Sequence, residues 1–317
     1  MTIAAIAIGR NEGARLVDCL ASLQGKVAPI VYVDSGSTDG SVDAARAAGA
    51  EVVALDMTQP FTAARARNAG LQRLADIAPD GSYVQFLDGD CALREGWIEA
   101  ALAELEAHAD LAVVCGRRRE RFPDASVWNR LTDIEWDTPV GDAIACGGDA
   151  LMRRSALEAV GGYRDDLIAG EEPEMCFRMR AAGWKIRRIH AEMTWHDAAM
   201  TRFGQWWKRN RRAGHAYAES AALHGKSPER FRVAQTRRAV IWGMVLPLLS
   251  VLGVVITPWA LLLLLAYPAQ VARLAAGGMP LFRAFFLVLG RLPEARGVLE
   301  YWQARVTGKK RGLIEYK

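Results

Sequence analysis

The chain has 317 residues, 51% of them hydrophobic, and a formal net charge of +4. That is chain enough for one large domain with an appendage, and too little net charge for a globally basic nucleic-acid binder. Its five cysteines (Cys19, Cys91, Cys115, Cys146 and Cys176) are widely spaced with no C-x-x-C pair, which argues against a disulfide framework or a zinc site and fits a reducing cytosol.

The N-terminal run Thr2 to Ile8 is apolar and strand-length, with no basic segment before it and no cleavage site, so no leader peptide is expected. It stops at Gly9-Arg10-Asn11-Glu12-Gly13, and Leu16, Leu20 and Leu23 then recur on one helical face. A second strand, Ile30 to Val33, ends in Asp34-Ser35-Gly36-Ser37-Thr38-Asp39-Gly40, and after an Ala-rich helix a third runs from Glu51 to Leu55. Strands alternating with helices at this spacing predict βαβ units and a parallel sheet. No loop matches G-x-x-x-x-G-K-S/T or G-x-G-x-x-G, which disfavours a P-loop NTPase or a dinucleotide dehydrogenase. Asp34 is placed either to hold a ribose or base or to cap its own Ser-Thr-Asp turn.

Phe61 to Leu71 reads as a loop entering a helix, whose arginines form a solvated face or reach a diphosphate. The next strand, Tyr83-Val84-Gln85-Phe86-Leu87, ends in Asp88-Gly89-Asp90. In an open α/β sheet ligands sit beyond the carboxyl ends of the strands, so this D-x-D pair either gathers a divalent cation shared with phosphates or makes an ordinary tight turn. An amphipathic helix through Trp97, Ile98, Leu102 and Leu105 follows, then a strand from Leu111 to Gly116 and the basic run Arg117-Arg118-Arg119.

The order of Asn11-Glu12, Val33-Asp34-Ser35-Gly36-Ser37-Thr38-Asp39-Gly40, Ala66-Arg67-Asn68-Ala69-Gly70 and Asp88-Gly89-Asp90 resembles the family 2 glycosyltransferases. The resemblance continues through Gly147-Gly148-Asp149 to Arg154, Val160-Gly161-Gly162-Tyr163 and Gly170-Glu171-Glu172-Pro173-Glu174, and ends at Gln205-Trp206-Trp207-Lys208-Arg209. It implies an inverting enzyme of the GT-A fold using nucleotide-diphosphate sugars. It further implies donor binding by Asn11, Glu12, Asp34, Arg67, Asp88 and Gly148, and Mg2+ or Mn2+ held by Asp90, Asp88 and His196. Glu172 stands where the family has its catalytic aspartate, with Glu171 as a rival base; each also fits the acidic start of a helix.

From Arg202 to Arg238 the chain is basic and aromatic, as suits an anionic headgroup layer. Ala239 to Ala272 is then almost uninterruptedly apolar, with Pro258 as a natural break. This predicts a helical hairpin in or across a bilayer, both of whose ends share one side. Leu281 to Leu289, interrupted by Arg283, fits the interface, and Lys309-Lys310-Arg311 a solvated or headgroup-bound tail.

The expected architecture is therefore an α/β GT-A-like, mostly parallel sheet flanked by helices over 1–201. Interfacial helices follow over 202–238, and a membrane-associated hairpin with a basic tail over 239–317. The expected function is metal-dependent inverting transfer from a nucleotide-sugar, with UDP-sugar favoured by the resemblance, to a lipid-linked saccharide. It would act in surface or exopolysaccharide assembly at the cytoplasmic face of a bacterial inner membrane, without nucleic acid and as a possible homo-oligomer. The alternatives are a sugar nucleotidyltransferase and a noncatalytic membrane scaffold.

Overall fold

A computed structural model describes residues 2–308; Lys309-Lys310-Arg311 and Lys317 lie outside the described residues. The chain divides into two compact units, with the boundary between Thr201 and Arg202.

The first unit is built on nine strands: β1 (Ile3–Gly9), β2 (Ile30–Asp34), β3 (Glu51–Ala54), β4 (Tyr83–Asp88), β5 (Cys91–Leu93), β6 (Leu111–Glu120), β7 (Gly141–Ala143), β8 (Ala150–Arg153) and β9 (Lys185–His196). Its helices are α1 (Ala14–Leu23), α2 (Ser41–Ala47), α3 (Ala63–Ile77), α4 (Trp97–Ala107), α5 (Val127–Glu135), α6 (Arg154–Ala159) and α7 (Glu171–Ala181). The sheet order is β3-β2-β1-β4-β8-β6-β9-β5, with β7 on β9. Strands β3, β2, β1 and β4 are mutually parallel, as the alternation of strands and helices predicts. The second half is mixed, because β8 lies antiparallel between β4 and β6, and β5 and β7 pair antiparallel with β9.

Strand β1 is covered on both faces, so its residues read as a continuous apolar run rather than alternating. Helix α3 crosses it closely at Gly70, where a Cβ would come within 2.6 Å of the Ile6 side chain. The buried face of α1 is Leu16, Cys19, Leu20 and Leu23, the helical spacing seen in the sequence. Helix α4 is pinned to β4 by a buried bond, the Trp97 indole Nε1–H donating to Gln85 Oε1 at 2.8 Å.

The basic run, read from sequence as following a strand, is part of one. Strand β6 continues to Glu120 because its pairing with β9 continues, from Arg117↔Glu192 to Glu120↔His196. The arginines are ion-paired to separate carboxylates: Arg117 to Asp133 at 2.9 Å, Arg118 to Asp149 at 3.0 Å and Arg119 to Glu192 at 2.9 Å.

The second unit is helical. Helix α8 (Phe203–His224) packs on α13 (Arg291–Thr307). A Cβ at Gly214 or Gly297 would run into the facing backbone, so these glycines set how closely the two helices approach. A single 21-residue apolar helix, Val233–Gly253, crosses the 238/239 boundary drawn from composition. It comprises α9 (Val233–Val240), a wider π turn (Ile241–Val245) and α10 (Leu246–Gly253). Pro247 lacks the N–H that would bond back to Gly243 and crowds that carbonyl, so the widened turn falls where an ordinary helical bond is lost. After a break at 254–257, a 19-residue helix, Pro258–Ala276, begins with 3-10 geometry and continues as α11 (Ala266–Ala276). The Tyr267 hydroxyl donates to the Trp242 carbonyl, tying the two arms together. Helix α12 (Leu281–Leu289) follows.

Substituting Gln85→Leu leaves the Trp97 indole N–H buried without an acceptor, and thermal unfolding is expected to show a loss of about 1–3 kcal/mol. Adding Trp97→Phe should recover part of that loss; a strictly additive double mutant would mean the bond is not what couples the two sites.

Candidate active site

The parallel register brings Gly9, Asp34 and Asp88 to neighbouring strand ends, with Gly9 opposite Asp34 and Ile8 opposite Asp88. Asp34 is buried, and its Oδ2 accepts from the backbone N–H of Gly36 (3.0 Å) and Ser37 (2.9 Å). Its Oδ1 accepts from the Tyr32 hydroxyl at 3.1 Å, so the turn-capping role considered for it is realised. Asn11, at φ 54°, joins the first loop to the second: its N–H donates to Ser37 Oγ (2.9 Å) and its Oδ1 accepts from Thr38 N–H (2.7 Å). Glu12 is paired with Arg15 at 2.7 Å.

Arg67 is the centre of the site. It lies on α3, whose start is capped by the Thr62 hydroxyl accepting from Arg65 N–H, and only 2% of it is exposed. Its Nη2 is 2.9 Å from Asp88 Oδ1, and its Nη1 is 3.0 Å from both Glu171 Oε1 and Glu172 Oε1. The solvated-face alternative therefore fails for this arginine. A Cβ at Gly148 would fall 2.6 Å from Asp88 Oδ2 and 2.7 Å from Arg67 Nη2, so the residue there must be glycine for Arg67 and Asp88 to meet as they do.

Glu171 and Glu172 open α7, where the helix dipole favours carboxylates. Burial, and then the neighbouring Glu171, nevertheless push the Glu172 carboxyl up to about 7, against the lowering effect of Arg67.

The two aspartates of the D-x-D turn have different surroundings. Asp88 receives Arg67 and donates its backbone N–H to Asp149 Oδ1 at 3.1 Å. Asp90 is buried beside His196, with Oδ1 3.3 Å from Nε2. His196 packs edge-on against Trp136, with ring centroids 4.6 Å apart. Burial first, and then Arg118, lower its pKa to about 4, so the ring is neutral at pH 7. Among the described residues its buried Nδ1 has no hydrogen-bond partner; it stands 4.0 Å from Glu120 Oε2. A neutral imidazole lone pair beside a buried carboxylate fits a divalent cation. Of the three residues proposed to hold one, Asp90 and His196 are brought together, whereas Asp88 groups with Asp149.

Sequence reasoning did not single out Asp149, Arg118 or Glu120. Asp149 is fully buried and also accepts from the Thr194 hydroxyl (2.8 Å) and pairs with Arg118. Its place in the Gly147-Gly148-Asp149 motif was the available clue. Arg118 lay within the basic run Arg117-Arg118-Arg119, and Glu120 directly follows it.

A model of the glycosyl transferase family 2 matches residues 6–161. Among curated proteins, the glycosyltransferase AglE of Haloferax volcanii is 25% identical over 219 residues, 64% of this chain and 69% of that protein. The succinoglycan biosynthesis protein ExoA of Rhizobium meliloti is 24% identical over 195 residues; the match covers 56% of this chain and 57% of ExoA, little more than half of it. Among solved structures, the mannosyltransferase PcManGT of Pyrobaculum calidifontis, in complex with GDP-Man and Mn2+, has a TM-score of 0.61 at 20% identity over 94% of this chain and 86% of that one. That likeness shows the fold. The nucleotidyltransferase and noncatalytic alternatives give way to these findings: the protein is a glycosyltransferase whose residues 6–161 form a family 2 domain, and its relatives act in glycan biosynthesis.

Proposed function

We propose that this enzyme transfers a sugar, with inversion, from a nucleotide-diphosphate donor to a lipid-linked saccharide at the cytoplasmic face of a bacterial inner membrane. The observation that carries the reading is one buried cluster at the ends of β4 and β9. There a neutral imidazole lies on a carboxylate (His196 and Asp90), and Asp88, at the other end of the same D-x-D turn, shares Arg67 with a carboxyl tuned near neutrality (Glu172). Asp90 and His196, with Asp88 adjoining, would hold Mg2+ or Mn2+, which offsets the charge of the departing diphosphate. Asn11, Glu12 and Asp34 would face the nucleoside, and Gly148 keeps the Arg67–Asp88 contact open to the donor.

Glu172 is the general base. Its carboxylate takes the acceptor hydroxyl's proton as that oxygen bonds to the anomeric carbon, while the bond from that carbon to the diphosphate oxygen breaks on the opposite face. Arg67 aims the carboxylate and Glu171 shares the arginine; no covalent sugar–enzyme intermediate is needed. A UDP-sugar is the favoured donor. The guanosine nucleotide held by the archaeal neighbour makes a GDP-sugar the natural competitor in any screen.

The membrane reading is supported by the two apolar helices, whose side chains include Leu249 and Leu262, 56% and 53% exposed. A 21-residue helix is about 31 Å long, close to the roughly 30 Å of a bilayer core.

Four outcomes are expected. Asp90→Asn should keep the fold while abolishing the manganese dependence of uridine or guanosine diphosphate binding in calorimetry; unchanged dependence would remove Asp90 from the cation site. Glu172→Gln should lower transfer by about 10²–10⁴-fold with diphosphate binding nearly intact, and Glu171→Gln should be milder. Because the base acts when deprotonated, the wild-type kcat/KM should rise with pH and level off above about 7; a profile flat through neutrality would point to another base. Leu249→Asp and Leu262→Asp should each cost about 2.5–3.5 kcal/mol of insertion and shift the protein off membranes in flotation, and an unshifted double mutant would refute the hairpin.

A further inference from the structure

The residue after the D-x-D turn is a cysteine whose place in the sheet has a consequence beyond sugar transfer. In the antiparallel β5–β9 pair Cys91 stands directly opposite His196, so the two side chains emerge on the same face. The Cys91 thiol also donates to Asp90 Oδ1 at 3.6 Å, and His196 Nε2 lies 3.3 Å from the same oxygen. One ligand atom from each of the three residues lies within 4.8 Å of the others, and all three residues are buried.

These separations suit one class of cation. Metal bonds of about 2.3 Å to sulfur and about 2.0–2.1 Å to nitrogen and oxygen, at the tetrahedral angle, put N and O about 3.3 Å apart and S and O about 3.5 Å apart. The observed edges are 3.3 and 3.6 Å. Magnesium instead wants octahedral oxygen ligands and leaves the thiol unused. The surroundings suit the tetrahedral set as well. A ligating histidine ordinarily donates its other ring N–H to a carboxylate, and here Nδ1 is buried, unpartnered among the described residues and 4.0 Å from Glu120 Oε2. Glu120 is itself fixed, accepting from Phe122 N–H, Asn129 Nδ2 and Ala198 N–H. No spacing of cysteines in the chain announces such a site, because one turn and one strand pairing assemble it.

We propose that Asp90, Cys91 and His196 form a site for a thiophilic divalent cation, zinc above all, with the Nδ1–H of His196 turned towards the Glu120 carboxylate as its hydrogen-bond acceptor. Binding releases the thiol proton to water and leaves the fourth position open. The site itself stands on the geometry alone. Its effect, displacement of the hard cation and arrest of transfer by zinc, rests on the cation reading proposed above.

The test uses the full-length protein in detergent with Co2+ as the optical probe. A thiolate-to-cobalt charge-transfer band is expected in the near ultraviolet, bleached by one equivalent of Zn2+ and lost in Cys91→Ser, whose zinc affinity should fall at least about a hundredfold. No band in the wild type, or a band unchanged in Cys91→Ser, would overturn the proposal. Should the variant fail to fold, X-ray absorption of the zinc-loaded wild type decides: a sulfur neighbour at about 2.3 Å with N/O neighbours supports the site, and an all-N/O shell refutes it. Manganese-dependent diphosphate binding is measured in parallel. If it persists without a cobalt–thiolate band, only the zinc site fails; if the band appears without manganese dependence, only the reading of the transfer cation fails.

Discussion

A buried guanidinium must be surrounded by compensating charge, and in this protein that requirement organises the site. Arg67, on α3, meets Asp88 at the end of β4 and Glu171 and Glu172 at the start of α7. Three segments far apart in sequence are thereby held at one point. Removing a single partner from such a set leaves charge uncompensated and typically costs about 3–5 kcal/mol, even where the intact set adds little net stability. The cluster specifies position more than it stabilises. Gly148 is the steric counterpart of that constraint, since the space beside the Arg67–Asp88 contact admits no side chain.

Around this point Arg67 pairs with Asp88, Glu171 and Glu172, and Arg118 with Asp149. Burial and the neighbouring Glu171 raise the proton affinity of Glu172, whereas burial and Arg118 keep the imidazole beside Asp90 neutral against the pull of the surrounding carboxylates. Under the proposed reading, a divalent cation and a proton from the acceptor are what transfer from a diphosphate donor would bring to such a site.

The half of the sheet that carries parallel strands was readable because its apolar runs are short, continuous and punctuated by Asp and Gly at their ends. Asp34, Asp88 and Asp90 were visible for that reason, and the ordered motifs gave Arg67, Gly148 and the adjacent glutamates. The rest depended on pairings between distant segments. Arg117-Arg118-Arg119 read only as a basic run after a strand, because long basic side chains are rarely buried; in the strand they alternate, and each meets a carboxylate from another segment. Asp149 and Glu120 were obscure for the same reason, since a buried carboxylate is explained only by partners that tertiary structure delivers. The π turn before Pro247 likewise has a local cause but no sequence pattern of its own.

The bonds between the loops after β1 and β2 bear on how a ligand is taken up. Asn11 N–H donates to Ser37 Oγ and Asn11 Oδ1 accepts from Thr38 N–H across the two loops, Gly13 N–H donates to Ser41 Oγ, and Ser35 N–H bonds the Gly9 carbonyl. Ordering a free residue costs roughly 1–2 kcal/mol of backbone entropy, and here that ordering is complete before anything docks. A nucleoside meeting this edge of the sheet would therefore encounter a rigid rim and bind with little conformational penalty there. Any slow closure that accompanies turnover must be sought in other parts of the molecule.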